Sequence, residues 1–260
     1  MSTQVYPARQ PSSITRTGTF EPWELQVARG QIPYHSKVDI FGFSGNVGST
    51  ALGPVWEGLT SSGGAYAYPG SASTLTLVSD SASDTSALSI LISGLDASYA
   101  PITETIAMNG TTNVTTTKSF LRVNNMSTTN GLNVGNITAK ISSTTYAKIS
   151  AGIGQTQMSI YTVPAGFTLY LAYVQADANI GFTSSAYLTF AEYNKDNTTG
   201  ETNLLNQSTY VQSFQFPFAT PVAHTEKTDI QFQVKASTGT NTVANIYAGG
   251  ILIKDDAGVA

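Results

Sequence analysis

Short apolar stretches that alternate with Thr, Ser, Lys or Gln recur along most of this chain. Leu75 and Leu77 alternate with Thr74 and Thr76. Leu88, Ile90 and Ile92 follow, then Ile102, Glu104, Ile106 and Met108, then Ile137, Ala139 and Ile141. A period of two puts successive side chains on opposite faces, which suits a half-buried strand and not a helix. Between residues 50 and 153 the pattern gives about seven to nine strands, spaced by roughly 8–14 residues. Asn109-Gly110 and Asn130-Gly131 read as hairpin turns, since both residues tolerate positive φ. The chain is therefore read as all-β: two β-sandwich domains of jelly-roll or Greek-key type, preceded by an N-terminal arm and one short helix.

The expected division is 1–45 for the arm and helix, 46–155 for the first sandwich and 156–260 for the second. The second opens with MSIYTVPAGFTLYLAYVQA. There Phe167, Leu169, Leu171 and Tyr173 are assigned to one face, and Tyr170, Ala172 and Val174 to the other. A strand apolar on both faces is expected to be central and covered on both sides. Gly249-Gly250 suggests a bulge in the last strand.

The densest cluster of distinctive residues is Phe20 to Phe43. Pro22 near the start and Gly30 past the end mark a two-turn helix. Trp23, Leu25 and Val27 have to dock on something, because two turns are marginal alone. Arg29 sits at the negative end of the helix dipole. The following stretch to Phe43 reads as a strand entering the first sheet. Residues 1–19 carry Pro7, Pro11 and Gly18 with no periodicity. Alone they read as a disordered or extended terminus; the sharper alternative is an arm that orders only against a neighbouring subunit. The docking set is Arg16, Phe20, Trp23, Leu25, Val27 and Arg29.

Composition narrows function. Charged residues are 11% of the chain, far below the roughly 25% of an average domain. The net charge is −4, and 12 Lys and Arg are scattered with no basic run, so nucleic acid is not an expected partner. There is no cysteine, hence no disulfide, thiolate site or Cys nucleophile. No apolar run reaches the ~20 residues of a membrane span, and the N-terminus has no signal-peptide pattern. The expectation is a protein soluble when made, with no membrane partner.

Catalytic motifs are missing. His35 and His224 have no metal-ligand spacing, and no G-x-S-x-G or P-loop occurs. Asp80 and Asp84 sit in a Ser-rich loop, where turn chemistry explains them, though calcium is conceivable there. Glu104 shares a face with Ile102, Ile106 and Met108, which suggests a cross-strand partner such as Arg122 or Lys140. No cofactor and no enzymatic activity are expected.

The segments FEPWELQVARGQIP, VDIFGFSGNVGST and VWEG resemble the N-terminal portion of virion structural proteins of marine tailed bacteriophages. NGTTNVTTTKSFLRVN, QMSIYTVPAGFTLYLAYVQA, EKTDIQFQVKAS and ILIKDD extend the resemblance over nearly the whole chain. It implies membership of the virion, assembled in the host cytoplasm, and supplies no site residues. The expectation built on it is a capsid decoration or cement protein. It would work as a homo-oligomer, a trimer, bound to the major capsid protein or other virion proteins. The alternative is a tail or fibre component whose C-terminal sandwich binds host-surface glycan through Tyr-rich loops.

Overall fold

The computed structural model describes residues 21–49, 51–58, 66–179, 188–210, 213–237 and 242–255. It is nearly all β, with one short helix, α1 (Trp23–Ala28). Strands β1 (His35–Ser44), β2 (Gly53–Pro54), β10 (Ile160–Thr162), β11 (Phe167–Asn179), β12 (Leu188–Asp196), β13 (Thr202–Tyr210), β14 (Ser213–His224), β15 (Thr228–Ala236) and β16 (Val243–Lys254) form two sheets. One runs β1-β16-β11-β14; the other runs β10-β15-β12-β13, with β2 added to β15. Their inward side chains share one core, including Val38, Leu169, Phe190, Phe232 and Ile246. We call this group the base.

The intervening strands form two sheets of their own, and β7 adds a single bridge from Ser127 to Gln155. β3 (Ser73–Ser79), β6 (Val114–Phe120), β8 (Ile137–Ile141) and β9 (Thr144–Ile149) form a sheet ordered β6-β3-β8-β9. β4 (Ser89–Leu95), β5 (Pro101–Ala107) and β7 (Arg122–Thr128) form another, ordered β5-β4-β7. A second core closes between them around Leu75, Ile90, Phe120, Met126 and Ile149. Trp56 belongs to this core and meets Tyr66 edge-on at 5.7 Å.

The long-range pairing differs from the sequence expectation. β1 does not enter the first sheet. It runs antiparallel to the last strand, β16, from His35↔Ile253 to Ser44↔Ala244. Val47 and Val55 also stay with the base: Val47 donates to the Thr242 carbonyl, and Val55 to that of Phe232. Gly42 is there because β1 passes close to its neighbours. A Cβ at that position would fall 2.6 Å from the Val55 carbonyl oxygen and 2.7 Å from the Ser159 Cβ. The chain thus starts the base, leaves it to build β3–β9, and returns at β10 to finish it.

Neither Asn-Gly pair makes a hairpin. Asn109-Gly110 connects β5 to β6, and Asn130-Gly131 connects β7 to β8, and in both cases the strands belong to different sheets. The positive φ at Gly110 and Gly131 is used to cross between layers. Within the inserted sheets the hairpins are β4–β5 and β8–β9, which turn through the non-glycine residues Tyr99 and Ser142 at positive φ. A sequence signal for a turn specifies local backbone, and the apolar faces then decide which strands pair.

β11 shows the same lesson within one strand. A bulge between Leu171 and Tyr173 breaks the alternation. Leu169 and Leu171 are buried before it, Val174 and Ala176 after it. Tyr173, expected beside Leu169 and Leu171, is displaced to the outer face. β11 is central, as expected, but its outer face is uncovered at Tyr170. The bulge lies opposite Gly249 and Gly250.

A buried ion pair joins the two groups of sheets. Arg122 begins β7, and Asp229 is in β15 with 0% exposure. Arg122 Nε lies 2.8 Å from Asp229 Oδ1, and Nη2 lies 2.9 Å from Oδ2. Thr162 Oγ1 donates to Oδ1 at 2.6 Å, and Asn197 Nδ2 to Oδ2 at 2.7 Å. The guanidinium carbon lies 4.4 Å from the Tyr68 ring centroid, and Nη1 donates to the carbonyls of Leu121 and Pro69. Burial works against the charge on Arg122. The hydrogen bonds and charge of Asp229 outweigh it and leave the guanidinium pKa above its ordinary value. Beside this pair, the Asn124 amide exchanges two hydrogen bonds with the Thr162 backbone.

Candidate docking surface

α1 is built from the residues the sequence singles out, with one shift. Pro22 is the N-cap, not the first helical residue, and its carbonyl accepts from Leu25 and Gln26. Gly30 takes φ +67 and donates to Val27, closing the helix in the left-handed conformation that glycine favours. Arg29 reaches back to the Glu21 carboxylate and ties the last turn to the segment before the first. Gln26 Nε2 bonds the Glu21 carbonyl at 2.7 Å. These contacts hold six helical residues that would not persist alone.

The helix divides its apolar residues between two directions. Val27 is 3% exposed and packs into the protein. Trp23 is 44% exposed and Leu25 is 47% exposed. The Trp23 ring meets His35 at the start of β1, 5.7 Å between centroids at 87°. His35 Nδ1 lies 2.8 Å from the Pro33 carbonyl, which fixes the ring against which Trp23 rests. Next to it Tyr34 is exposed at φ +65, its carbonyl accepting from the Lys254 amide. Lys254 Nζ lies 6.0 Å from the Tyr34 ring centre.

Of the expected docking set, Trp23 and Leu25 point outward, Val27 anchors the helix, and Arg29 is tied to Glu21. Arg16 and Phe20 lie outside the described residues. Tyr34 joins the outward patch although nothing in the sequence marked it. Its position depends on a positive φ that tyrosine rarely adopts.

The other candidates resolve into structural roles. Glu104 contacts neither Arg122 nor Lys140. Its two carboxylate oxygens accept from the backbone amides of Thr117 and Lys118, each at 2.8 Å, on the unpaired edge of β6. Asp84 is buried and accepts from Ser79 Oγ and from the amides of Val134 and Gly135. Asp80 accepts from the backbone and side chain of Asn136, and those bonds hold its carboxyl below the usual range. Among the described residues, no group of three His, Cys, Asp or Glu is placed to hold a metal ion. His224 is buried in the base with Nε2 3.2 Å from Glu192 Oε1.

No protein-family model matches this chain, and no curated protein does. Among solved structures it is similar to a point mutant of the VP2 protein of infectious bursal disease virus in T=1 particles. That match has 11% identity, covers 91% of this chain and 76% of the other, and has a TM-score of 0.25. The structure of the Gx strain of the same virus matches at 13% identity over 86% and 73% of the two chains, with a TM-score of 0.24. Overlaps that slight carry no argument about fold or function.

Proposed function

We propose that this chain is a non-enzymatic structural protein of a virus particle, held there through the α1 surface. The two groups of sheets are, in this reading, two β-sandwiches. The base carries α1, and the inserted sandwich is fixed to it by the Arg122–Asp229 joint. The observation that carries the reading is the split of α1: Val27 secures the helix, while Trp23 and Leu25 stand half exposed. An exposed Trp on a pinned helix fits an interface anchor, a role in which aromatic residues are enriched. The resemblance of FEPWELQVARGQIP to phage virion proteins begins at the same residues.

The specific role proposed is capsid decoration or cement, as a homo-oligomer such as a trimer, on the major capsid protein or another virion protein. The test is binding of purified protein to empty heads. Trp23→Ser with Leu25→Ser should keep the circular-dichroism spectrum of the folded protein and lower the melting temperature only slightly, since both side chains are about half exposed and Trp23 loses its contact with His35. It should weaken head binding at least tenfold. Unchanged binding by this double variant would sink the α1 reading. Copy number separates decoration from the tail alternative: hundreds of copies per particle are expected for decoration.

A further inference from the structure

The outer face of the β1-β16-β11-β14 sheet carries an aromatic site that the docking role does not use. Two rows of register partners build it. Asp39, Gly249 and Tyr173 are neighbours across β1, β16 and β11, and so are Phe41, Tyr247 and Gln175. The Phe41 and Tyr247 rings are 4.7 Å apart and 12° from parallel. That separation is the spacing between strands, so the two rings stand side by side off the sheet. Tyr173 is set differently. Its ring is inclined 67° to Tyr247 at 5.2 Å, and its phenol end lies over Gly249. A Cβ on Gly249 would fall 2.6 Å from the Tyr173 Cζ, so only glycine allows the ring to lie down there. The bulge in β11 is what turns Tyr173 to this face.

The result is a lying ring with a standing aromatic wall at its side. A polar cluster borders it. Tyr247 Oη donates to Asp39 Oδ1 at 2.8 Å, and Lys37 Nζ lies 2.9 Å from Asp39 Oδ2. Partial burial and the bonds to Tyr173 and Asp39 raise the Tyr247 pKa, and the Asp39 hydrogen bond raises that of Lys37. Tyr247 and Lys37 therefore keep their protons across the neutral range. Phe41 is 39% exposed, and Lys37 is largely exposed.

We propose that this face binds a saccharide, with one pyranose ring lying on Tyr173 against the Phe41–Tyr247 wall. The axial C–H face of a pyranose is flat and apolar and fits an aromatic face. Its equatorial hydroxyls are polar and sit at the ring's edge, where Lys37 and Asp39 place a donor and an acceptor side by side. That pairing matches adjacent hydroxyls of a sugar, which both donate and accept. A purely protective cross-strand ladder would need the aromatic contacts but not the carboxylate, ammonium and phenol gathered at one edge. The site lies on a sheet face of the base, not in its loops. It stands independently of the α1 docking role.

The experiment uses the full chain on an array of bacterial surface polysaccharides and oligosaccharides. The strongest hit is then titrated against variants. Retention of at least one glycan is expected, with Tyr173→Ala and Phe41→Ala each lowering affinity at least tenfold. Lys37→Met with Asp39→Asn should also weaken it, while Leu204→Ser, an exposed residue on β13, should not. The Trp23→Ser/Leu25→Ser double variant should bind glycan normally, which separates this site from the docking surface. Silence across the array overturns the proposal. So does a glycan hit indifferent to Tyr173→Ala, or loss of head binding in Tyr173→Ala, which would give the face to a protein partner.

Discussion

Replacing Arg122 by Met should destabilise the protein by about 3–5 kcal/mol. Four donors converge on the Asp229 carboxylate: two from Arg122, one from Thr162 and one from Asn197. Met fills much of the space over Tyr68 but removes both charged donors. Asp229, with no solvent exposure, is left with two neutral hydrogen bonds and an uncompensated charge. Urea unfolding followed by tryptophan fluorescence is a direct assay, because Trp23 sits in the base and Trp56 in the second core. With an m-value of about 3 kcal/mol/M, the midpoint should fall by roughly 1–1.7 M. Arg122→Met with Asp229→Leu should cost less than the Arg122 change alone, since no buried charge then remains. A shift below ~0.3 M, or a double variant as damaged as the sum of the singles, would refute the reasoning.

Other outcomes follow from the same contacts. Glu104→Ala frees two edge amides of β6 and should cost about 1–2 kcal/mol in a thermal melt, with more aggregation on heating. Asp80 has a depressed pKa in the folded state, so its contribution is present above the ordinary Asp value of about 4 and is lost as pH falls through the folded value. The melting difference between wild type and Asp80→Asn should therefore be seen at pH 7 and shrink at pH 3. An equal difference at both would show that Asp80 does not act through its charge. Gly249→Ala should push Tyr173 off its resting place, lowering stability by about 1–3 kcal/mol and abolishing retention on the glycan array.

What could be read from the sequence was local. The alternation at Leu75–Leu77 and Ile90–Ile92 specifies strands whose inward sides are the ones the structure buries, whereas in β15 Gln231 and Gln233 are buried along with Ile230, Phe232 and Val234. Pro22 and Gly30 delimit α1 to within a residue. What could not be read was nonlocal or depended on one extra residue. Nothing in the stretch His35 to Ser44 names β16 as its partner. Arg122 and Asp229, 107 positions apart, each look like a charge at a strand's start. The bulge at Ala172 shifts every later residue of β11 to the opposite face, so Tyr173 does not share the face of Leu169 and Leu171 that strict alternation gives it. Of the docking set, exposure at Trp23 and Leu25 was foreseeable from a short helix with too many apolar residues for one stripe. The contribution of Tyr34 depended on backbone strain.

The pairing of β1 with β16 has a consequence for how the chain is made. Asp39 and Tyr247 are 208 positions apart. At about 5–20 residues per second that interval lasts roughly 10–40 s. During it the inserted strands already have all their partners by Ile149 and can close, whereas β1 waits for its neighbour. Long-range pairing of this kind also slows folding after release. The aromatic face and the platform beneath α1 are thus among the last features to form. A chain stopped short of β16 would present neither.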